Sequence, residues 1–337
     1  MKAVQVRDYG GSDMLTLDDI AIPNLSEGEA LVRIACAGIN FIDIYMRSGV
    51  FKNSTTYPNT PPFTPGMEAA GVVEAVGAGV ENIKPGDRVA YCLSLGGYAE
   101  YAAVPAWKLV KVPDDIPLDI AAALQLQGMT AHYLTHSLYP LKKGDSCLIH
   151  AGAGGMGQLA IQLAKMRGAL VLVTVGSKEK AEIAKERGAD HIILYREVDF
   201  ADAVRDITSG DGVNVVYDSV GKDTIRQSMK CLKPLGVLSN NGNASGPIGA
   251  LDPLELAEAG SVFFIRPHLA DYVPTHESRQ SRSDDLFKVY GEGNLAVTLD
   301  RAFPLAEAKI AHDALEARKS KGKLLLDLEG ENGGGSQ

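Results

Sequence analysis

The sequence predicts an α/β protein in which a doubly wound parallel sheet is joined to an antiparallel, barrel-like β domain. Three observations carry that expectation. From residue 146 onward, strands alternate with helices that close on glycine. Residues 1–120 read instead as short strands punctuated by turns. A complete GxGxxG, Gly152-Ala153-Gly154-Gly155-Met156-Gly157, stands between a strand and a helix. At about 150 residues per domain, a chain of 337 residues agrees with two domains.

Taken in order, ALVRIACAGIN (30–40) is β-rich, and GVVEAVGAGV (71–80) alternates small and branched residues. KPGDRVAY (84–91) turns on Pro-Gly into a strand, and GGYAEYAAVPAWKLVKVP (96–113) reads as two more short strands. FKNSTTYPNTPPFTPG (51–66) holds four prolines and no alternation, so it is a long surface loop, of the kind that usually carries function. DIAAALQLQGMTAHYLTHSLY (119–139) has helical periodicity, interrupted at Gly128. Strands are then expected at 146–151, 170–176, 191–195, 214–221, 236–242 and 261–267, with Gly-closed helices at 156–168 and 178–188. After 267 the text is irregular until a helix at 305–318 and a strand at 323–328. These shifts of pattern divide the chain into 1–122 with 268–330, and 123–267; ENGGGSQ (331–337) reads as a flexible tail.

Apolar residues make up 45% and charged residues 22%, ordinary for a globular protein. Thirty-three Lys and Arg against 42 Asp and Glu leave a net charge of −9, the wrong sign for binding nucleic acid or an anionic membrane. The N-terminus lacks the apolar core of a signal peptide, and runs such as LVLVTV (170–175) are strand-sized, so a cytoplasmic protein without membrane spans is expected. Cys36, Cys92, Cys147 and Cys231 lie far apart with no CxxC, which encodes neither a disulfide framework nor a local cysteine zinc site.

The glycine motif follows an apolar strand and opens an amphipathic helix, the context in which it binds a dinucleotide pyrophosphate at a helix N-terminus. An NAD site ends the next strand with a carboxylate for the ribose 2′-OH. Here the strand ends Thr174-Val175-Gly176, followed by Ser177-Lys178-Glu179-Lys180. A hydroxyl and two lysines suit a 2′-phosphate, so NADPH is expected rather than NADH. The plain alternative is that Lys178 and Lys180 are solvated helix residues.

Seven segments taken together resemble a known family: AGINFIDIYMRSG (37–49), PGMEAAGVVEAVG (65–77), GDRV (86–89), QGMTAHYL (127–134), HAGAGGMG (150–157), YREVDF (195–200) and VVYDSVG (215–221). Over residues 1–328 the chain resembles the medium-chain dehydrogenase/reductases, specifically the zeta-crystallin-like quinone oxidoreductases. The resemblance implies a GroES-like β-barrel catalytic domain and a Rossmann domain, with the active site in the cleft between them. It also implies a homodimer, paired through the sheet edge at SVFFIRP (261–267). Zinc-dependent members carry Cys where this chain has Asn40 and His where it has Met67, and the lobe with four close cysteines is absent. Neither Asn nor Met is a plausible zinc ligand there, so the resemblance implies a zinc-free enzyme. Hydride transfer to a simple ketone calls for a Lewis acid, whereas a quinone spreads the incoming charge over its ring. The expected activity is therefore NADPH-dependent quinone reduction by hydride or electron transfer, with reduction of 2-alkenals or enoyl thioesters as the alternative.

Residue by residue, the resemblance implies that Asn40, Tyr45 and Thr130 line the nicotinamide and substrate pocket. Asn40 and Tyr45 would stabilise the developing oxyanion. Gly154, Gly155, Met156 and Gly157 would hold the pyrophosphate, and Ser177, Lys180, Tyr195 and Arg318 would surround the 2′-phosphate. The backbone around Asn241 would pass the nicotinamide, or else form a plain Asn-Gly turn. The loop at 51–62 is longer than in close relatives and would shape the rim of the pocket. His132 and His136 share a helix face but lack a third ligand; His150 and Cys36 read as packed residues, and Asp43 as structural. RNA-binding or crystallin-like structural roles, known among relatives, are disfavoured by the acidic charge.

Overall fold

The computed structural model describes residues 1–329, so the expected tail at 331–337 lies outside the described residues. The chain divides into two compact units, Met1–Met129 with Val273–Gln337, and Thr130–Tyr272. The changeovers fall at 129/130 and 272/273 rather than at 122/123 and 267/268. Residues 124–128 belong to the first unit because Leu126 N–H donates to Glu68 Oε1 (2.5 Å) and Gln125 Nε2 donates to Ser283 Oγ (3.4 Å).

The second unit is built on six parallel strands. Numbered within the unit they are Ser146–Ile149, Leu170–Val175, His191–Leu194, Val213–Asp218, Leu232–Asn240 and Phe263–Ile265, laid side by side as 3-2-1-4-5-6. That is the order of a Rossmann sheet, whose strand order reverses beside the first strand. Val171, Leu172, Val173, Val215 and Val216 are wholly buried, as strands covered on both faces require. Helices Gly155–Met166 and Lys178–Glu186 fall where Gly-closed helices are expected.

In the first unit, seven strands form one sheet, with Glu29–Ile39 at its centre. That strand pairs antiparallel with Glu68–Val76, Tyr101–Pro105 and Lys323–Asp327. The segment at 323–328 thus completes a sheet begun by the N-terminal third, the GroES-like arrangement. Val32, Ile34, Val73, Val89, Tyr91 and Leu326 fill its core, each such side chain stabilising by about 1.5–3 kcal/mol on burial.

Three expectations need correction. Residues after 267 are not irregular: they hold a 16-residue helix, His276–Gly291, and a strand, Leu299–Pro304. The helix escapes hydropathy reading because two of its four buried residues, Arg279 and Ser283, are polar. Gly128 does not interrupt its helix, which continues through wide turns at Leu124–Gly128 and Leu134–Leu138. A Cβ at Gly128 would lie 3.1 Å from Leu286 Cδ1, so this glycine lets two helices approach. NFIDIYMR, read only as a motif, is a helix, Phe41–Arg47, whose Asp43 carboxylate accepts the Asn40 N–H (2.9 Å). The 51–66 loop forms no strand, but it is tied down: Asn59 Nδ2 donates to Met46 O (3.0 Å) and Tyr9 OH to Asn59 O (2.8 Å).

Candidate active site

The glycine loop turns from Ser146–Ile149 into Gly155–Met166, with Gly154 as the N-cap. Its glycines have different duties. A Cβ at Gly152 would stand 2.8 Å from Val173 Cβ, and one at Gly157 would stand 2.9 Å from Gly152 Cα and closer still to the Ala151 carbonyl oxygen. Both are demanded by packing. A Cβ at Gly154 would meet only Ala151 O, at 3.3 Å, so bareness there keeps the approach to the helix amides open. Gly155, Met156 and Gly157 make up the first turn, whose N–H groups have no acceptor within the helix.

Below the loop, His150 is buried and neutral, its pKa lowered by desolvation. Ser228 Oγ donates to Asp218 Oδ2 (2.8 Å) and so accepts from His150 Nε2 (2.9 Å), leaving Nδ1 to accept from Thr174 Oγ1 (2.8 Å). The hydroxyl lies between imidazole and carboxylate, whereas a hydrolytic triad needs the imidazole in the middle. This cluster therefore clamps three strand ends beneath the loop.

At the end of Leu170–Val175 the structure brings together Gly176, Ser177, Lys180 and Tyr195. Ser177 caps the next helix by accepting the Lys180 N–H (3.3 Å). The Tyr195 hydroxyl lies 2.7 Å from where a Gly176 Cβ would be, so the half-exposed ring crosses the strand end beside Ser177. No carboxylate ends the strand. After Leu232–Asn240, Asn241 donates its backbone N–H to Asp218 O (2.8 Å), and its Oδ1 is buried with no partner among the described residues. An acceptor left in that state suits an amide N–H of a ligand. With the open approach at Gly154, these residues fit an NADPH. Thr130 is half-buried at the start of this unit. Arg318 belongs to the first unit, exposed just after helix Ala308–Glu316 with φ of 56°. His132 and His136 stack at 4.2 Å, and no group of three or more His, Cys, Asp or Glu able to hold a metal occurs among the described residues.

In the first unit the Asn40 carboxamide is 3% exposed. Its Oδ1 accepts from Lys323 Nζ (2.8 Å) and Gln127 Nε2 (3.4 Å), and its Nδ2 donates to Glu68 Oε2 (2.8 Å). Lys323 Nζ also pairs with Glu68 Oε2, both groups being almost wholly buried. Asp43 accepts the N–H groups of Asn40 (2.9 Å) and Met67 (2.8 Å). Burial pushes its carboxyl up to about 7, against these bonds and the Lys323 charge. Behind it runs a directed chain. Arg47 only donates, so His312 Nδ1 accepts from its Nη1 (3.2 Å). Burial lowers the His312 pKa to about 3, so the ring is neutral and carries its proton on Nε2, which points at the Tyr98 oxygen (3.1 Å). The Tyr98 hydroxyl is then left to donate to Asp43 Oδ2 (3.4 Å). Arg47 is anchored in turn by both Glu316 oxygens, at 3.0 Å each.

Tyr45 is half-buried on the same helix as Asp43, with the Phe41 ring at 6.1 Å and the Phe51 ring at 5.6 Å. Phe51 meets Tyr57 in turn, the rings tilted by 36° with centroids 5.5 Å apart. The 51–62 loop thus sets Phe51 against Tyr45 and Tyr57 against Phe51. Sequence reasoning missed Glu68, Lys323, Tyr98 and His312. A signal existed for Lys323: a lysine opening the apolar strand KLLLDL.

Residues 155–262 match the family described as zinc-binding dehydrogenase, and residues 26–114 match the alcohol dehydrogenase GroES-like domain. The first description implies zinc, and the donors here do not fit it. Asn40 and Met67, where the resemblance would put the ligands, are not plausible zinc donors, and the adjacent Glu68 is already paired with an ammonium ion. A quinone oxidoreductase of Pseudomonas aeruginosa is 41% identical over 96% of this chain and 99% of its own length. A 2-haloacrylate reductase of Burkholderia is 40% identical over 96% and 98%. The crystal structure of Escherichia coli quinone oxidoreductase complexed with NADPH has a TM-score of 0.93 at 38% identity, covering 97% of this chain and all of that one. With its Rossmann strand order, its GroES-like sheet and relatives at this identity over nearly its whole length, the chain belongs to the medium-chain dehydrogenase/reductase family.

Proposed function

We propose that this chain is an NADPH-dependent oxidoreductase that reduces quinones without a metal. The observation that carries the reading is the strand end at Gly176, where Ser177, Lys180 and Tyr195 stand in place of a ribose-binding carboxylate. Gly154 to Gly157 would hold the pyrophosphate, with Lys180 as a point charge for the 2′-phosphate. Bound NADPH supplies a hydride. The chain's own residues orient the acceptor and answer the charge that develops on it. The Asn40 amide donates to the oxygen gaining charge, and Tyr45 supplies a second donor from the aromatic rim.

NADPH oxidation, followed by absorbance with 1,4-benzoquinone and with a 2-alkenal side by side, tests the reading. Fast turnover of the quinone with NADPH, and not with NADH, supports it. Turnover of the alkenal alone overturns the quinone assignment in favour of activated double bonds, the substrate type named for the Burkholderia relative. The four buried free cysteines suit a reducing cytoplasm. The edge strand Phe263–Ile265, with Phe263 62% exposed, is the surface we assign to a homodimer. A monomeric mass by light scattering would refute that assignment. No helix among the described residues is long and apolar enough to cross a membrane.

A further inference from the structure

We infer that Lys323 is a positioning residue of the reductase site: its ammonium locks the Asn40 carboxamide so that one amide N–H is kept for the substrate oxygen. The inference rests on the reading of Asn40 given above and adds the device that makes it a donor.

An asparagine carboxamide offers two acceptor sites and two donors, and a half-turn of the group exchanges them. Here both acceptor sites of Oδ1 are taken by donors, Lys323 Nζ at 2.8 Å and Gln127 Nε2 at 3.4 Å. One hydrogen of Nδ2 goes to Glu68 Oε2 at 2.8 Å. The second hydrogen is what remains. Turning the group over would set its NH2 against the ammonium and the Gln127 amide, and its oxygen against the Glu68 carboxylate. Each of the three contacts would become repulsive. Lys323 dominates this choice because an ammonium can only donate, and at 1% exposure it is shielded from solvent.

The pair is itself held in place. Glu68 Oε1 accepts the Leu126 N–H at 2.5 Å, and the backbone at Gly38 runs directly over both side chains. A Cβ there would lie 2.7 Å from Glu68 Cδ and 2.8 Å from Lys323 Cε. A cation thus stands behind Asn40. It reaches the substrate only through the amide it orients.

Removing Lys323 alone strands a buried carboxylate and endangers folding. The test therefore uses the charge-neutral pair Glu68→Gln/Lys323→Met, alone and combined with Asn40→Ala, with wild type and N40A alongside. For each, kcat with benzoquinone and the NADPH dissociation constant by fluorescence are measured. The double variant should lose about tenfold or more in kcat while NADPH affinity stays within about twofold. In the N40A background the same two changes should cost nothing further, because their effect passes through Asn40. A double variant with wild-type kcat, or a loss that adds fully to that of N40A, overturns the role of Lys323 and leaves that of Asn40 standing. A fully active N40A overturns the Asn40 reading and this inference with it.

Discussion

Replacing Gly154 and Gly157 separately by alanine should split the glycine loop into its packing part and its ligand part. At Gly157 the new methyl would press on backbone atoms only, Gly152 Cα at 2.9 Å and the Ala151 carbonyl, so no side chain can swing aside. Overpacking of this kind costs about 1–3 kcal/mol, and G157A should lose that much unfolding free energy in urea. At Gly154 the methyl meets one oxygen at 3.3 Å, and the backbone, at φ −74° and ψ 163°, suits any residue. Alanine is the poorer N-cap by somewhat under 1 kcal/mol, but it restricts the unfolded chain by a similar 0.4–1 kcal/mol, so G154A should keep its stability within about 0.5 kcal/mol. Its penalty should fall on the cofactor. A methyl between the helix amides and a pyrophosphate removes charge-assisted hydrogen bonds worth about 1.5–3 kcal/mol, which weakens NADPH binding about tenfold to a hundredfold. Urea unfolding and an NADPH fluorescence titration on the same preparations read both quantities. A G154A protein that binds NADPH like wild type, or unfolds as readily as G157A, refutes the division.

Lys180→Ala should weaken NADPH about tenfold or more and leave NADH binding unchanged, since only the former carries the 2′-phosphate; equal losses for both cofactors would remove Lys180 from that role. Asp43 links stability to pH. Burial holds its folded pKa at about 7, above the ordinary carboxylate value of 3.8, so the folded state keeps a proton that the unfolded chain has released. Unfolding free energy should then fall as pH rises from about 4 to about 7, by up to about 4 kcal/mol from this group, and D43N should flatten that slope in denaturation series. A slope unchanged in D43N would mean that another group titrates. Tyr45→Phe should lower kcat severalfold with little change in NADPH affinity, because the donation proposed for the phenol is to the substrate and not to the cofactor; unchanged turnover would end that role.

Most of the second unit was legible because its strands are apolar runs and its helices close on glycine, as at Gly168 and Gly188. The glycine loop and the turn at Ser177 could be located for a related reason, since Gly152 to Gly157 and Ser177 to Lys180 each lie within a short stretch of chain. The Asn40 environment could not. Glu68 reaches Lys323 across 255 positions, and Arg47 reaches His312 across 265. Spacing in the sequence carries no trace of such pairings. Helix His276–Gly291 was lost because Arg279 turns inward, donating to Cys92 O at 3.1 Å and lying 4.8 Å from the Trp107 ring, where hydropathy assumes a lysine or arginine turns out.

The strand Lys323–Asp327 gives the molecule an order of assembly. A ribosome delivers the whole of Thr130–Tyr272 before it delivers the strand that finishes the sheet around Glu29–Ile39. Until then the nascent first unit holds Glu68 without its cation and Cys36 to Ile39 without the strand that pairs them along one edge. The nucleotide-binding half can therefore be complete while the catalytic half is still waiting. A chain stopped between residues 273 and 322 should retain the whole of Thr130–Tyr272 with its glycine loop, yet carry an Asn40 that lacks the Lys323 ammonium.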